Sequence, residues 1–247
     1  MRPVALVTGA AGGIGSACAE AFARSGHDVV VNHWRTPGEA RAVAARIEAL
    51  GAAALVIEAD VGSRTEVEAM FEAIDARHGR LDVLVANAGI THAHDIFETS
   101  LEDWERVIRV NLTGTFLCAK AAMTRMRAAG SGAIVLLGSV VGHQGALMGH
   151  VAYGATKGGV HTMAKTLART GAPLGIRVNA VAPGIVETSL LESTHGAAGI
   201  AKLIERVPLG GLASPDDIAD AIVWLAGPGS RHVTGAILDV NGGMLMR

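Results

Sequence analysis

Aromatic residues, cysteine and proline are scarce in this sequence, and each shortage narrows what the protein can be. Of its 247 residues, 3% are aromatic, whereas 50% are hydrophobic and 32 are glycine, so the core must consist of aliphatic side chains between tight turns. The two cysteines, Cys18 and Cys118, are too few for a disulfide framework, and we expect both to be reduced core residues. No stretch rich in proline and serine forms a linker, which indicates one domain.

Long runs of one charge and long apolar runs are missing as well. The chain has 21 basic and 23 acidic residues and a net charge of −2, which argues against nucleic acid or an anionic membrane as a partner. No apolar run reaches the length of about 18 residues that spans a bilayer. The first apolar run begins at Pro3 and leads directly into a glycine loop, which leaves no room for a signal peptide. We therefore expect a cytoplasmic protein that acts on a small molecule.

Short β-branched runs alternate with longer runs of helical pattern along the whole chain. This alternation is typical of a parallel sheet with crossover helices. We predict strands at VALVT, DVVVN, AALVIEA, LDVLVAN, GAIVLLG, IRVNAVAP and AILDV, and helices at 38–50, 64–78, 104–128 and 152–170. Ser63 and Ser214 are the expected N-caps of two helices. The prediction is one doubly wound α/β domain over 1–247, with a seven-stranded parallel sheet flanked by helices and ligands at the carboxyl ends of its strands.

A glycine loop, TGAAGGIG at 8–15, separates the first strand from the first helix. Such a loop lets backbone N–H groups approach a phosphate at the positive end of a helix dipole. The spacing is G-x-x-x-G-x-G, which differs from the common G-x-G-x-x-G fingerprint, and a plain structural turn is the alternative. We interpret it as the pyrophosphate site of a Rossmann-type domain, with these candidate residues: Gly9, Gly13, Ile14 and Gly15.

The end of the second strand reads VVVNHWRT and carries no acidic residue. An acid near this point binds the ribose of NAD, whereas an arginine accommodates the 2′-phosphate of NADP. His33 and Arg35 therefore favour NADP(H), with NAD(H) still possible; the alternative is that Arg35 is simply solvated. Asp60 could meet the adenine edge or cap the next helix. The cofactor site is expected to include four further residues that follow the third and fourth strands: Val61, Asn87, Ala88 and Gly89.

The one tyrosine of the chain, Tyr153, is followed four residues later by Lys157. On a helix both side chains share a face, and an ammonium beside a phenol favours the phenolate, lowering a pKa that is ordinarily about 10. The strand GAIVLLGS ends in Ser139, whose hydroxyl could hold a substrate carbonyl beside that phenol. The pattern indicates a proton donor for carbonyl chemistry.

Taken together, these motifs resemble those of the short-chain dehydrogenase/reductase family over essentially the whole chain. The resemblance includes TGAAGGIG, NAG at 87–89, VNLTGTF from Val110, the serine and the Tyr-x-x-x-Lys pair, and PGIVET at 183–188. It implies a catalytic tetrad of Asn111, Ser139, Tyr153 and Lys157. In this tetrad Tyr153 is the general acid in reduction and the base in oxidation, and Asn111 holds a water that links Lys157 to solvent.

The same resemblance implies a nicotinamide pocket and an assembly. Tyr153 and Lys157 also contact the cofactor, and further residues of the pocket are Pro183, Gly184, Ile185, Val186 and Thr188. A homotetramer is implied, packed through helices 104–128 and 152–170 and the last strand. The family interconverts ketones and secondary alcohols without a metal.

Within the family, GSVVG, VAPGIVET and VNGGMLM are similar in style to 3-oxoacyl-[acyl-carrier-protein] reductases. Gly130 and Leu174 stand where those enzymes place arginines for carrier docking, and Gly12 replaces their loop arginine. Arg125 and Arg127 lie near enough in sequence to substitute for one docking charge. We therefore expect a 3-oxoacyl thioester reductase with little dependence on acyl carrier protein. The alternatives are a sugar, polyol or other secondary-alcohol dehydrogenase, and a nucleotide-binding protein without turnover.

The THAHD stretch at 91–95 resembles a set of metal ligands. It lacks the further ligand that a tetrahedral site needs, so we predict no metal. A substrate rim or a solvated loop is the better interpretation. Segment 188–207 is expected to form a substrate lid, with a fixed surface helix as the alternative. The candidate rim residues are His92, His94, Asp95, His143, Gln144, Leu147, Met148 and His150.

Overall fold

A parallel sheet of seven strands runs through the centre of the computed structural model, which describes residues 2–146, 149–188, 191 and 199–247. The strand order is β3-β2-β1-β4-β5-β6-β7. The predicted α/β fold is confirmed, and each strand begins and ends within two residues of its predicted position. The strands are β1 Val4–Val7, β2 Asp28–His33, β3 Ala54–Glu58, β4 Val83–Ala86, β5 Gly132–Leu137, β6 Ile176–Pro183 and β7 Ile237–Val240.

Helices cover both faces of this sheet. They are α1 Gly13–Arg24, α2 Pro37–Ala49, α3 Arg64–His78, α4 Leu101–Ile108, a π-helical segment Arg109–Thr113, α5 Gly114–Ala129, α6 Val141–Gln144, α7 Val151–Gly171, α8 at 199–204 and α9 Pro215–Ala226. None of the described helices is both long and apolar enough to cross a membrane.

Alternate residues of each strand point to opposite faces, so the sheet supports two apolar layers. Leu6 of β1 packs in the layer that contains α3, α5 and α7, whereas its neighbour Val7 packs in the layer that contains α1, α2 and α9. Cys118 is buried in the first layer and Cys18 in the second, as free thiols in the core, as expected. Burial raises the pKa of both thiols, that of Cys118 to about 12.

Serine caps set the starts of two helices as predicted. The Ser63 hydroxyl accepts the Glu66 N–H at 3.4 Å, and α3 has the expected bounds. At α9, Ser214 accepts the Asp217 N–H, and the Asp217 carboxylate accepts the Ser214 N–H at 2.7 Å, forming a capping box. These caps satisfy amides that would otherwise have no partner.

The long helix predicted over 104–128 differs from the prediction in one respect. It begins at Leu101, and the π-helical segment Arg109–Thr113 interrupts its α-helical hydrogen bonding before α5. Single π-helical turns inside α-helices are frequent at functional sites. This segment carries Asn111.

The connections reverse direction at β1, because the chain moves from β1 to β2 and β3 on one side and then to β4 on the other. Val7 pairs in register with Val31 of β2 and Val85 of β4. In doubly wound sheets the crevice at such a reversal, beyond the carboxyl ends of the strands, is where ligands bind.

Candidate functional site

A cavity of about 870 Å³ opens at this crevice. The glycine loop, the ends of β2 to β6 and the start of α7 all contribute to its wall. It brings together all the residues predicted for the catalytic tetrad and the cofactor site except Asn111 and Arg35, which are not among the described residues of its lining. A volume of this size is within the usual range of about 300 to 1,000 Å³ for ligand pockets.

Backbone conformation and close packing explain the glycines of the loop. Gly9 and Gly13 have φ of +63° and +53°, a region that side chains with a Cβ rarely adopt. A Cβ on Gly15 would lie 2.2 Å from the Gly9 carbonyl oxygen and 2.7 Å from Asn87 Nδ2. Glycine at position 15 therefore lets the first turn of α1 sit directly against the loop.

The start of α1 is free of a side-chain cap. Its N-cap is Gly12, and no side chain among the described residues bonds to its first amides. Uncapped amides at a helix N-terminus form an anion site. The loop therefore suits a pyrophosphate group.

Two asparagines and a threonine hold the loop in place. Asn32 Oδ1 accepts the Gly9 N–H at 3.2 Å, and its Nδ2 donates to the Ala59 carbonyl at 3.0 Å. Asn87 Nδ2 donates to the Thr8 carbonyl at 2.8 Å, and Thr8 Oγ1 accepts the Asn87 N–H at 3.0 Å. The sequence analysis missed Asn32, although a polar residue ending the apolar run VVVN is a usable signal.

The residues at the end of β2 differ in whether they are buried and whether they line the cavity. His33 is buried, and its Nδ1 accepts the Thr36 N–H at 3.4 Å. Trp34 and Thr36 line the cavity along with His33. Arg35 has φ of +58°, and its guanidinium lies 4.9 Å from the centroid of the Trp34 ring. Its backbone N–H donates to Glu58, the nearby carboxylate, at 3.3 Å.

Asp60 does not cap α3. Its Oδ2 accepts from Arg109 at 2.6 Å, and its Oδ1 accepts the Gly62 N–H at 2.8 Å. The cap alternative is wrong because Ser63 holds that position. Among the described residues of the lining Asp60 is the single carboxylate, and the basic ones are Arg106, Arg109, Lys157, Lys202 and Arg206. The cavity is thus suited to an anionic ligand.

Ser139 and Tyr153 both line the cavity, and the Ser139 hydroxyl interacts with the Tyr153 phenol. Burial raises the pKa of the Tyr153 phenol, and the bond to Ser139 lowers it by less. The expectation that Lys157 brings this pKa down is wrong for the chain by itself. Removal from water disfavours the phenolate, and this is the largest effect on the pKa of Tyr153.

Lys157 is buried beside the phenol. Its Nζ donates to the Leu137 carbonyl at 2.6 Å and lies 5.4 Å from the centroid of the Tyr153 ring. Burial lowers the pKa of its ammonium to about 8. The carbonyl bond and the helix position therefore hold the amine in place without a carboxylate partner among the described residues.

Asn111 lies behind the cavity wall. Its Oδ1 accepts the Ile90 N–H at 2.8 Å, and its Nδ2 donates to the Ile90 carbonyl at 2.9 Å and to Thr156 Oγ1 at 3.3 Å. These bonds fasten the π-helical segment to the chain after β4 and to α7. The structure therefore brings Asn111 close to the residue that precedes Lys157.

Of the candidate rim residues, Gln144 and His150 line the cavity. His150 has φ of +55°, and its Nδ1 lies 2.8 Å from Thr91 Oγ1. Its ring centroid is 6.4 Å from that of Tyr153. Leu147 and Met148 lie outside the described residues.

The other candidate rim residues are not brought to the described lining. His92 and His94 face Asp103 at 3.6 and 3.9 Å, and Asp95 accepts N–H groups of its own turn. His143 Nε2 lies 3.2 Å from Asp239. The described residues contain no group of three potential metal ligands.

The predicted lid, 188–207, is described only in part, because 189–190 and 192–198 lie outside the described residues. The residues of this segment that line the cavity are Thr188, Leu191, Gly199, Lys202, Leu203 and Arg206.

Comparisons with known proteins agree with this architecture. A family model described as Enoyl-(Acyl carrier protein) reductase matches residues 9–245. A 3-oxoacyl-[acyl-carrier-protein] reductase of Synechocystis is 41% identical over 244 residues, 98% of this chain and 97% of the relative. Glucose 1-dehydrogenase 2 of Bacillus subtilis is 39% identical over 243 residues, 98% of this chain and 94% of that protein.

A solved structure agrees as well. The crystal structure of a short-chain type dehydrogenase/reductase from Mycobacterium marinum superposes with a TM-score of 0.95 at 33% identity, covering 99% of this chain and 96% of the other. The chain belongs to the short-chain dehydrogenase/reductase family. The predicted family and its implied enzyme class, an NAD(P)-dependent oxidoreductase, are confirmed.

A short-chain dehydrogenase/reductase uses a nicotinamide cofactor, and the described residues fit one. The glycines keep the space that a pyrophosphate needs, and the open amides of α1 and the surplus of basic residues in the lining match its charge. Pro183 and Gly184 also line the cavity, and a Cβ on Gly184 would lie 2.9 Å from Asn241.

Proposed function

We propose that this enzyme reduces the ketone of a 3-oxoacyl thioester or a similar small β-keto compound, with NADPH as the preferred reductant. The observation that carries the proposal is that Ser139, Tyr153 and buried Lys157 line the same cavity as the glycine loop, with Lys157 Nζ 5.4 Å from the centroid of the Tyr153 ring. When bound, the nicotinamide supplies the hydride. The chain itself must supply orientation and a proton.

The Tyr153 phenol is suited to donate that proton. Because burial raises its pKa, the phenol is protonated at neutral pH and can transfer its proton to the oxygen that develops alkoxide charge. Ser139 Oγ, which lowers the pKa of the phenol, is assigned to hold the carbonyl oxygen within reach of it. Lys157 orients the ribose, and its ammonium stabilises the phenolate that remains after proton transfer. Asn111 is assigned to hold a water that links Lys157 to solvent.

Preference for NADP(H) is supported by the charges along the cavity. Among the described lining residues the single carboxylate, Asp60, is paired with Arg109, and Glu58 is engaged by the Arg35 backbone. The strand β2 itself ends without an acid, and Arg35, whose guanidinium lies over the Trp34 ring, supplies a cation beside the Glu58 carboxylate that can bind a 2′-phosphate.

The cofactor experiment compares NADPH and NADH affinities in the wild type and in Arg35→Ala, with Arg41→Ala as a control on the neighbouring helix α2. We expect Arg35→Ala to reduce the NADPH preference by about tenfold, the loss of one charge-assisted hydrogen bond, and the control to leave it unchanged. An unchanged preference in Arg35→Ala would show that Arg35 does not bind the 2′-phosphate.

The name of a relative supports a thioester substrate, and the contacts of Arg125 support little dependence on a carrier protein. The Synechocystis relative is named as a 3-oxoacyl-[acyl-carrier-protein] reductase. Here, however, Arg125 is held by Asp75 at 2.8 Å and lies over the Phe71 ring, so it is not free to replace the docking charges missing at Gly130 and Leu174.

The substrate experiment measures turnover of a 3-oxoacyl group on carrier protein and on a short thiol mimic, at low and at physiological salt. We expect similar kcat/KM for the two forms and weak dependence on salt. A large, salt-sensitive preference for the carrier would show that docking charges act after all, since steering by surface charge weakens as salt rises.

Dehydrogenation of a sugar, polyol or other secondary alcohol is the second candidate, favoured by the relative named glucose 1-dehydrogenase 2. A panel of carbonyl and alcohol substrates with both cofactors decides between the two. A change in NADPH absorbance with any ketone would also exclude a nucleotide-binding protein without turnover.

We further infer one catalytic domain over 1–247 with a lid at 188–207, a cytoplasmic location and a homotetramer. An apolar side chain on one of the helices expected to pack supports the assembly, since Phe116 of α5 is 45% exposed. Light scattering on the purified protein tests the tetramer.

A further inference from the structure

A buried histidine lies one helical turn beyond Lys157 on the face of α7 that carries Tyr153. Residues 153, 157 and 161 are spaced by four, so their side chains stack along one side of the helix. Tyr153 and Lys157 line the cavity, whereas His161 lies behind it and is 4% exposed. The proposed proton transfer does not use this imidazole.

His161 contacts the backbone of Ser139. The Ser139 N–H donates to His161 Nε2 at 3.4 Å. A nitrogen that accepts a hydrogen bond carries a lone pair, so the neutral ring must hold its proton on Nδ1. That Nδ1 is buried and has no hydrogen-bond partner among the residues that the structure describes. The contact with Ser139 is therefore the one hydrogen bond of this imidazole among the described residues.

Two glycines beside Ser139 make the space that the imidazole occupies. A Cβ on Gly138 would lie 2.3 Å from His161 Nε2, and one on Gly142 would lie 2.7 Å from His161 Cε1. The turn from 138 to 142 and the imidazole therefore match each other in shape. With side chains at those positions the ring could not reach the Ser139 amide.

The surroundings keep His161 neutral. Its pKa is lowered to about 4, first by burial and then by the positive charges of His143, Lys157 and Arg247, against the opposing effect of Asp239. The His143 ring lies with its centroid 4.2 Å from that of His161, and its Nε2 is 3.2 Å from Asp239 Oδ1. Asp239 also binds Arg247 at 2.9 Å. Among the charged groups, Lys165 further lowers the pKa of His143. A neutral ring can accept the Ser139 N–H throughout the working pH range.

We propose that His161 is a positioning residue for Ser139: by accepting the Ser139 amide it sets the backbone turn that points Ser139 Oγ at Tyr153. The proposal rests on the function assigned to Ser139 and Tyr153 above. His161 touches neither the phenol nor the substrate cavity and acts through the serine alone.

Two substitutions separate positioning from packing. His161→Gln places an amide group where Nε2 lies and can still accept the N–H, whereas His161→Leu fills the space without an acceptor. A small displacement of a catalytic group reduces rate strongly, so we expect kcat to fall about 10- to 100-fold in His161→Leu. Cofactor affinity should change by less than about threefold, because the glycine loop is untouched, and His161→Gln should recover most of the rate. Equal rates in wild type and His161→Leu, or equal losses in both variants, would overturn the proposal.

A measurement that needs no turnover completes the test. In wild-type protein labelled with ¹⁵N-histidine, His161 should appear as the Nδ1–H tautomer, and the amide proton of Ser139 should shift in His161→Leu. An Nε2–H tautomer would overturn the proposal even if His161→Leu folds poorly. Because this readout is independent of substrate, it distinguishes the two failures. If the wild type reduces no carbonyl and His161 is still the Nδ1–H tautomer, the proposed function fails and the contact with Ser139 stands.

Discussion

One half of the cavity is formed mainly by backbone groups, and the other half is formed by side chains. The half proposed to bind the cofactor, the cofactor half, consists of backbone: glycines at 9, 13 and 15 and the open amides of α1. The half proposed to carry out the reaction, the chemical half, consists of side chains, with Ser139 from the end of β5 and Tyr153 and Lys157 from α7. Adding a Cβ at a tightly packed glycine changes the shape of the cofactor half. Removing one polar atom from the chemical half leaves its shape intact but removes a group that the reaction needs.

The helices α1 and α9 repeat this contrast, although they pack against each other in the same layer. The first turn of α9 is closed by the Ser214 capping box, while the first turn of α1 has no side-chain cap in the described structure. A cap stabilises a helix but occupies the donors that would bind a phosphate. The uncapped helix is the one at the cavity.

Removing one oxygen from the chemical half should have the largest effect. Tyr153→Phe takes away the proton donor and preserves the ring, so kcat should fall by about 10² to 10⁴-fold. Cofactor affinity, measured by fluorescence titration, should stay within about threefold. A loss of rate below about tenfold would rule out Tyr153 as the general acid.

A single methyl group should break the cofactor half. Gly15→Ala places a Cβ 2.2 Å from the Gly9 carbonyl oxygen, and we expect overpacking to weaken both folding and cofactor binding by about 1–3 kcal/mol. Gly12→Ala is the matched control, because its Cβ would have no neighbour within 4 Å and its φ of −170° suits any residue. Equal effects of the two substitutions on cofactor affinity would contradict this account of the loop.

Lys157→Met should change how stability depends on pH. The folded pKa of Lys157 is lowered to about 8 by burial, from 10.5, so between these values the unfolded chain keeps a proton that the folded chain has released. Stability of the wild type relative to Lys157→Met should therefore rise as pH increases from about 8 to 10.5, by on the order of 1–3 kcal/mol. Urea midpoints at pH 7 and pH 10 measure it, and a difference independent of pH would show that the amine is not desolvated. Cofactor binding and rate should also weaken in this variant.

Ser214→Ala should have the smallest effect, confined to stability. Loss of the cap should lower the free energy of unfolding by about 0.5–2 kcal/mol and leave kcat/KM unchanged. The Ser214 hydroxyl and N–H lower the pKa of Asp217, so this stabilisation is present at neutral pH and is lost as pH falls below the usual Asp value of 3.8. A change in turnover larger than the change in stability would link this cap to the active site.

Local patterns predicted most of the architecture. The strand and helix runs were found because burial on both sheet faces leaves continuous β-branched segments, and the caps at Ser63 and Ser214 are readable from adjacent residues. The π-helical segment around Asn111 was not predicted, since it depends on how the helix meets α7 and the chain after β4. The cap role considered for Asp60 was wrong because its partner, Arg109, is 49 residues away in sequence.

The sequence by itself predicted the sheet, the glycine loop and the residues that we propose as catalytic, because these follow from residue types at short, regular spacings and from the family resemblance. Tertiary structure decided the contacts between distant segments and the charge states that result. Only burial shows that the pKa of Tyr153 is raised, and only the approach of α7 to the end of β5 places His161 against the Ser139 amide. Both depend on desolvation and on packing across the sheet, which no local stretch of sequence encodes.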